Sequence, residues 1–454
     1  MTEDRQVDVV VVGLGVGGEE VAGKLAAAGL TVVGIERGLV GGECPYWGCV
    51  PTKMMIRAGN ALAEARRVDG LAGSAQVVPD WAPVAKRIRE EATDTWDDTV
   101  AVERFTGKGG HFVRGTGTIE GPGRVRVGDD VYQANRGIVI GTGSAPVVPP
   151  VDGLAGTPYW TNREAVEVEE LPESLVILGG GAIGVELGQV FARFGVRVTI
   201  VEHSGRLLAM EEPESSVLVA AALRADGVEI HTGALAERVR HDADGFTVYL
   251  STEAVVTGER LLVTTGRRAR LAGLGLESVG VDPEQRSLPV DERMRVADGI
   301  WAVGDVTGHG AFTHVAMYQA GIAIRDILGQ GGPGADYRAL PRVTFTDPEV
   351  GAVGLTEQQA RERGISVQVG LTELPGSSRG WIHKAGNEGF IKLVADAERG
   401  VLVGATSAGP VGGEVLSALA VAVHGSVPVE SLRHMIYAYP TFHRAIEAAL
   451  QDLR

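Results

Sequence analysis

The chain has 454 residues, 58 acidic side chains against 42 Lys and Arg, a formal net charge of -16 and 44% hydrophobic residues. That length predicts about three domains, each with enough core to fold without cross-links. The acid excess and the lack of a basic run exclude a nucleic-acid partner. No apolar run reaches the roughly 18 residues of a membrane helix and MTEDRQVDVVVVG lacks a signal-peptide pattern, so a cytoplasmic protein with no membrane partner is expected.

Residues 7–12, VDVVVV, form a β-branched run suited to a parallel strand buried on both faces. Gly13-Leu14-Gly15-Val16-Gly17-Gly18 comes at once, then a helical stretch, then a second strand over 30–35 ending in Glu36. Strand, GxGxxG, helix, strand and acid in this order predict a dinucleotide fold. Gly13 makes the tight turn, Gly15 lets backbone N–H groups approach a pyrophosphate, and Gly18 lets helix and strand pack closely. Glu36 is placed to accept hydrogen bonds from the adenosine ribose.

A few residues on, Gly41-Gly42-Glu43-Cys44-Pro45-Tyr46-Trp47-Gly48-Cys49-Val50-Pro51-Thr52-Lys53 carries the only two cysteines of the chain. In a cytoplasmic protein such a pair is read as catalytic or metal-binding. A zinc site wants about four ligands and no further Cys exists, so no metal is expected. Pro51 is tolerated only in a first helical turn, which predicts a helix starting near Val50 with Cys49 at its N-terminal end. There the unpaired N–H groups and the helix dipole favour a thiolate, and Lys53, four residues on, adds positive charge. Five residues of ideal helix rise roughly 7.5 Å, but a disulfide needs Cα atoms within about 7 Å. The Cys44–Cys49 segment must therefore be distorted, as Pro45 and Gly48 permit. Beside a dinucleotide site, a flavin suits such a pair best, since it accepts a hydride and passes two electrons to a disulfide.

Trp81, Val84, Ile88, Trp96, Val100 and Val102 fall roughly at helical spacing, predicting one long amphipathic helix over 81–104 with both tryptophans in the core. Short strands are expected at 111–114, 124–127 and 137–140, with His111 solvated or satisfied within the core. The last strand runs into Gly141-Thr142-Gly143-Ser144-Ala145-Pro146 and a Pro-rich link that reads as a domain boundary. The opening pattern then returns: a strand over 175–178, Gly179-Gly180-Gly181-Ala182-Ile183-Gly184, a helix carrying Glu186, and a strand over 196–201 ending in Glu202. Two such units imply two cofactors. A carboxylate at Glu202 favours NAD(H) over NADP(H), because it would face a 2'-phosphate; His203 and Arg206 nearby would soften that preference. A third strand, 300–303, ends in Gly304-Asp305, which can bring a carboxylate to a ribose or ribityl hydroxyl.

Jointly, GLGVGG at 13–18, GGECPYWGCVPTK at 41–53, TGSAP at 142–146, GGGAIGVE at 179–186, TTGRR at 264–268, AVGD at 302–305 and TFTDPEVGAVGLTE at 344–357 make the chain resemble the class I pyridine nucleotide-disulfide oxidoreductases along essentially its whole length. The resemblance implies an α/β fold with two Rossmann-like domains, for FAD and NAD(P), and a C-terminal α+β interface domain forming a homodimer. It places an FAD domain at 1–152 and 270–336, an NAD(P) domain at 153–269 and the interface domain at 337–454. It implies Cys49 as the thiolate against the flavin, Cys44 as the thiol that attacks a small-molecule substrate, and Lys53 with Glu186 as an ion pair near the flavin. Gly13, Gly15, Gly18, Glu36, Arg37, Gly42, Lys53, Gly117, Thr142, Gly143, Ser144, Asp305 and Thr313 would line FAD; Gly179, Gly181, Gly184, Glu202 and Gly266 would line the nicotinamide cofactor.

The departure from the family lies near the C-terminus. Where disulfide reductases carry His-Pro-Thr-x-x-Glu, this chain reads Tyr439-Pro440-Thr441-Phe442-His443-Arg444. A phenol is a poor base at neutral pH, leaving Tyr439 and His443 as candidates for the missing base, with Glu447 one turn on to orient His443. Mercuric reductases share the Tyr but add a C-terminal cysteine pair that is absent here. Tyr46 and Trp47 in the cysteine spacer are read as packing residues. The leading expectation is an FAD enzyme that reduces or oxidises a dithiol/disulfide substrate through Cys44/Cys49. A quinone- or metal-ion-reducing flavoenzyme of the same fold and a redox-sensing flavoprotein subunit are the alternatives.

Overall fold

The computed structural model describes residues 4–454 as two compact units. One comprises the N-terminal residues through Thr52 with Lys86–Val147 and Gly266–Asp336; the other comprises Lys53–Ala85, Val148–Thr265 and Tyr337–Arg454.

In the first unit the β-branched run forms the strand Arg5–Val12 at the centre of a sheet. It pairs in parallel with Val32–Glu36 on one side and Asp130–Ile140 on the other, with His111–Arg114 and Ile300–Ala302 as the next parallel neighbours. Burial on both faces explains the unbroken valines. Val9 and Val11 face a core with Val21, Leu25, Phe105 and Ala320, contributed by the helices Val16–Ala27, Thr99–Thr106 and Thr313–Ile327. Val10 and Val12 face a second core with Ile35, Ile138, Ile140 and Leu288.

The helix expected over 81–104 does not form as one element. It runs Ala82–Arg87, widens into a π-turn at Ile88–Ala92, and stops. The Thr93 hydroxyl bonds back to the Ile88 and Arg89 carbonyls at 3.1 and 3.2 Å, competing with the helical ladder. Asp94, Thr95 and Trp96 then take φ values of 49°, 57° and 56°, and the Asp97 carboxylate accepts the Thr99 N–H at 2.7 Å as the helix Thr99–Thr106 restarts. Trp81 is buried against Phe191 and Phe194, as expected of a core residue. Trp96 is only half-buried and Val100 is exposed.

In the second unit a parallel sheet ordered Glu229–Thr232, Arg197–Glu202, Ser174–Leu178, Arg260–Val263 repeats the nucleotide-fold pattern. A three-stranded antiparallel meander, Ala236–Asp242, Gly245–Leu250 and Val255–Gly258, shares its core. The C-terminal part is a five-stranded antiparallel sheet, Pro341–Thr344, Glu349–Gly354, Val401–Gly409, Phe390–Asp396 and Val367–Glu373. The helices Gly412–His424 and Ala445–Gln451 cover it through Leu416, Leu419, Ile446 and Leu450. This is the α/β class with an added α+β domain that the sequence predicts. Among the described residues no helix is long and apolar enough to cross a membrane.

One buried charge cluster joins the nucleotide fold of this unit to its C-terminal sheet. Lys392, 3% exposed, meets Glu212, Glu214 and Glu357 at 3.0, 2.8 and 3.0 Å. Burial pulls the ammonium pKa down, but the three carboxylates outweigh it and hold the group above the usual lysine range. Lys392→Met, which strands three carboxylates, is expected to cost about 3–5 kcal/mol, read from the urea midpoint of the second unit's unfolding.

Candidate active site

Both nucleotide loops are built the same way. A Cβ on Gly18 would sit 2.0 Å from the Gly13 carbonyl oxygen, and one on Gly184 would sit 2.0 Å from that of Gly179. The third glycine of each motif is thus fixed by steric contact with the first. Gly13 and Gly179 turn with φ of +92° and +112°. A Cβ on Gly181 would meet nothing within 4 Å and one on Gly15 only the Gly141 carbonyl oxygen at 3.9 Å; both glycines cap their helices without a side-chain hydrogen bond, leaving first-turn N–H groups for a phosphate. The acids are matched too. Glu36 accepts Leu14 N–H at 2.8 Å and Gly38 N–H at 2.7 Å; Glu202 accepts Gly180 N–H at 2.6 Å and Ser204 N–H at 2.7 Å. These loops fit two dinucleotides.

Further first-unit residues gather by hydrogen bonding. Arg267 Nε donates to the Ser144 hydroxyl at 2.8 Å, and that hydroxyl donates to Asp305 at 2.6 Å. Since Nε–H can only donate, the single Ser144 proton is committed to the carboxylate. Thr142 donates to the Arg270 carbonyl, Gly143 and Gly266 adopt positive φ, and a Cβ on Gly117 would come within 3.4 Å of Val12 and Ile35. Arg37 is exposed beside Glu36. Arg267 and Arg270 also approach Glu43, at 3.8 and 3.4 Å. The TTGRR motif contains Arg267 but not Arg270 and assigns it no role; Glu43 lies 227 residues from Arg270, so no local pattern pointed to this contact.

The cysteine segment is seated on the first of these loops. Gly41 N–H donates to the Leu14 carbonyl at 2.7 Å and bridges Gly15; a Cβ on Gly42 would lie 2.9 Å from the Gly15 Cα. Cys44 lies in the short helix Glu43–Trp47 and Cys49 opens the helix Cys49–Arg66, as the Pro51 position predicts. Gly48, at φ -125° and ψ -121°, makes the break between them. Tyr46 is buried, its packing role as expected; Trp47 is half-buried. The two cysteines are not joined by a disulfide; Cys49 is exposed and Cys44 half-buried. Cys49 Sγ lies 3.3 Å from the Thr313 hydroxyl. A hydrogen bond to the Cys49 sulfur, aided by burial, pushes the Cys44 thiol well above the ordinary cysteine range. Cys44 is therefore held protonated, while Cys49 stands at a helix start that favours a thiolate.

In the second unit Lys53 Nζ meets Glu186 Oε2 at 2.7 Å, and Glu186, 5% exposed, accepts the Phe345 N–H with its other oxygen at 2.7 Å. The ammonium lies 4.7 Å from the Phe345 ring centre. Phe345, not singled out in the sequence, thus holds both partners of the pair. Near the C-terminus Tyr439 is 67% exposed. Arg444 stacks 5.6 Å from its ring and pairs with Glu447 at 3.0 Å. The expected orientation of His443 by Glu447 is therefore not what forms: the nearer cation takes the carboxylate, and the His443 ring lies 6.5 Å from that of Tyr437. Among the described residues no cluster of three His, Cys, Asp or Glu is arranged to hold a metal.

The fold, the paired loops and the cysteine segment define a flavin- and nicotinamide-binding oxidoreductase class, and sequence comparison agrees: the chain belongs to the pyridine nucleotide-disulphide oxidoreductase family, whose model matches residues 7–320, while the dimerisation-domain model of that family matches residues 340–450. It is 35% identical over 460 residues to a mercuric reductase of Streptomyces lividans, covering 98% of this chain and 95% of that protein. It is 33% identical over 467 residues to a dihydrolipoyl dehydrogenase of Thermus scotoductus, covering 99% and 98%. Among solved structures, the Cu(II) complex of the HOCl-induced flavoprotein disulfide reductase RclA from Escherichia coli matches with a TM-score of 0.87 and 28% identity, covering 98% of this chain and 99% of that one. LpdA from Mycobacterium tuberculosis matches with a TM-score of 0.86 and 25% identity, at the same coverage. The protein is accordingly an FAD-dependent oxidoreductase with nucleotide-binding Rossmann folds and a dimerisation domain.

The unequal thiols predict a labelling order. In reduced protein near neutral pH, iodoacetamide should alkylate Cys49 first, with Cys44 labelled only as the pH rises, read by peptide mass spectrometry. Equal labelling would contradict the proton placement.

Proposed function

We propose that the protein transfers electrons from NADH through FAD to the Cys44/Cys49 pair and from there to a small disulfide-class acceptor, or the reverse. The observation that carries this reading is the hydrogen-bonded, unequal thiol pair on the segment that packs against the first dinucleotide loop. FAD, when bound, accepts hydride and hands two electrons to sulfur. The chain's own share is positional. Gly13, Gly15, Gly18, Glu36, Arg37, Gly42, Gly117, Thr142, Gly143, Ser144, Asp305 and Thr313 would hold FAD in the segments 1–152 and 270–336. Gly179, Gly181, Gly184, Glu202 and Gly266 would hold the nicotinamide cofactor in 153–269. Lys53, fixed by Glu186 and Phe345, supplies a set positive charge.

With a disulfide substrate, deprotonated Cys44 attacks one sulfur and expels the other as a thiolate that takes up a proton. Cys49 then attacks Cys44 Sγ, releasing the second thiol and restoring the Cys44–Cys49 disulfide. NADH is favoured over NADPH because the carboxylate of Glu202 is anchored by two backbone donors. Arg206 is already engaged by the Leu208, Ala209 and Glu211 carbonyls and the Ser216 hydroxyl, so it is not placed to offset that charge. A homodimer built on 337–454 is consistent with the exposed Val421, Met435, Ile436 and Tyr439.

A second reading has one observation behind it. Tyr439 and Arg444 stand where a His and a Glu would manage protons, and Arg444 with Glu447 forms a closed pair. An acceptor that does not exchange with a thiol, a metal ion or a quinone that takes its protons from water, would suit this site, and the chain would then not need Cys44 as a nucleophile.

Anaerobic titration with NADH should produce a long-wavelength thiolate-to-flavin charge-transfer band that Cys49→Ser abolishes; flavin reduction without that band would remove the disulfide from the mechanism. A panel of lipoamide, small disulfides, a quinone and mercuric ion, run with both nicotinamides, separates the two readings: quinone turnover surviving Cys44→Ser supports the second. Tyr439→His should raise lipoamide turnover by about 10²-fold, the scale of a restored general base. No rise would mean that residue 439 does not limit the reaction.

A further inference from the structure

Asp98 is a buried acid that these roles leave without a task. It is 9% exposed, and its Oδ2 accepts both the Val40 N–H at 2.7 Å and an Arg114 Nη2–H at 2.6 Å. Arg114 lies over the Phe112 ring at 4.7 Å, and its Nη1 donates to the Gly38 carbonyl. The Gly38–Val40 turn is thus gripped at its amide and its carbonyl by one ion pair. Glu36 holds the start of the same turn through Gly38 N–H and ties it to Leu14. The turn leads into Gly41, seated on Leu14 and Gly15, and then into the helix that carries Cys44.

The stretch that delivers Asp98 is itself strained. Three successive residues with side chains, Asp94, Thr95 and Trp96, are held at positive φ, a conformation that costs energy in each. The Trp96 indole N–H is buried with no hydrogen-bond partner among the described residues. Two contacts with the redox segment come from this turn: the Asp98 carboxylate on Val40, and the Asp97 carbonyl 3.5 Å from the Tyr46 hydroxyl in the cysteine spacer. Strain of this kind persists only where surrounding structure enforces it, and it gathers at sites that need a fixed geometry.

We propose that Asp98, paired with Arg114, is a positioning residue for the redox cysteines: it fixes the Gly38–Val40 turn so that the helix Glu43–Trp47 keeps the Cys44 thiol hydrogen-bonded to Cys49. Asp98 touches neither thiol and exchanges no proton with substrate. The inference rests on the reading of Cys44/Cys49 as the redox pair. Its signature is a change in the thiols rather than in flavin binding.

The test compares wild type, Asp98→Ala and Arg114→Gln as full-length, flavin-loaded protein. After chemical reduction, Cys44 and Cys49 are alkylated across pH and counted by mass spectrometry. Separately, the charge-transfer absorbance per bound flavin is read during anaerobic NADH titration. In both variants Cys44 labelling near neutral pH should rise by about tenfold, as a thiol whose pKa falls by about one ionises ten times more. The charge-transfer absorbance per flavin should fall while flavin content holds. Wild-type labelling and wild-type absorbance in variants that merely melt earlier would make the pair a structural staple and overturn the proposal. Absence of the band in wild type would sink the disulfide reading of function, yet the labelling comparison would still decide the role of Asp98. Should Asp98→Ala fail to fold, Arg114→Gln, which leaves the Val40 bond intact, carries the comparison alone.

Discussion

Two sulfurs five residues apart meet only if the helix that would carry both is interrupted, because an unbroken helix sets them roughly 7.5 Å apart along its axis. Gly48 supplies the interruption, and the properties of the pair arise from it. Cys49 becomes the first residue of a new helix, where orphan N–H groups favour its thiolate. Cys44, on the preceding short helix, is turned back so that its thiol donates to that sulfur and its own ionisation is suppressed. Thr313, opening a helix packed on the central sheet, adds a hydroxyl beside Cys49. A side chain at position 48 would meet the Glu43 carbonyl at 3.0 Å, so the break and the close return of the chain need the same glycine.

The two nucleotide loops apply a second constraint twice over. In each, an acid at the end of the second strand is tied by two backbone N–H groups to the glycine turn and to the residues just beyond itself. The carboxylate is oriented before any ribose arrives, so binding need not freeze a free side chain. In the first unit this tie has a further effect. The residues beyond Glu36 are those that lead to Cys44, which makes the turn that holds this acid also the approach to the paired cysteines.

Much of this was legible because it rests on exclusions. Only glycine satisfies the Gly13–Gly18 and Gly179–Gly184 contacts, only a first helical turn tolerates Pro51, and only a doubly buried strand suits VDVVVV. Where competing bonds of similar strength decide, the pattern misled. Trp81 through Val102 keep a helical spacing, but the Thr93 hydroxyl and the Asp97 carboxylate each offer the backbone an alternative to the helix, and the chain breaks between them. Glu447 sits four residues from His443 and three from Arg444, and the permanent charge of the guanidinium wins. The pairing of Arg267 with Ser144 and of Asp98 with Val40 spans 123 and 58 residues, distances over which no local pattern carries information.

The proton on Cys44 narrows what the pair can do. A thiol held protonated by its neighbour attacks a disulfide only after a base removes that proton, and the rate tracks the ionised fraction. A phenol is a poor base at neutral pH, and at position 439 one stands with Arg444 against its ring, that cation paired with Glu447. In the proposed exchange with a disulfide, the reaction would be slowed twice, at the attacking sulfur and at the missing base. In the alternative proposed, an acceptor that bypasses Cys44 would be slowed at neither. Cys49, exposed at its helix start, would suit either proposed route, so under the proposed function the choice of acceptor would rest on Cys44 and position 439 rather than on Cys49.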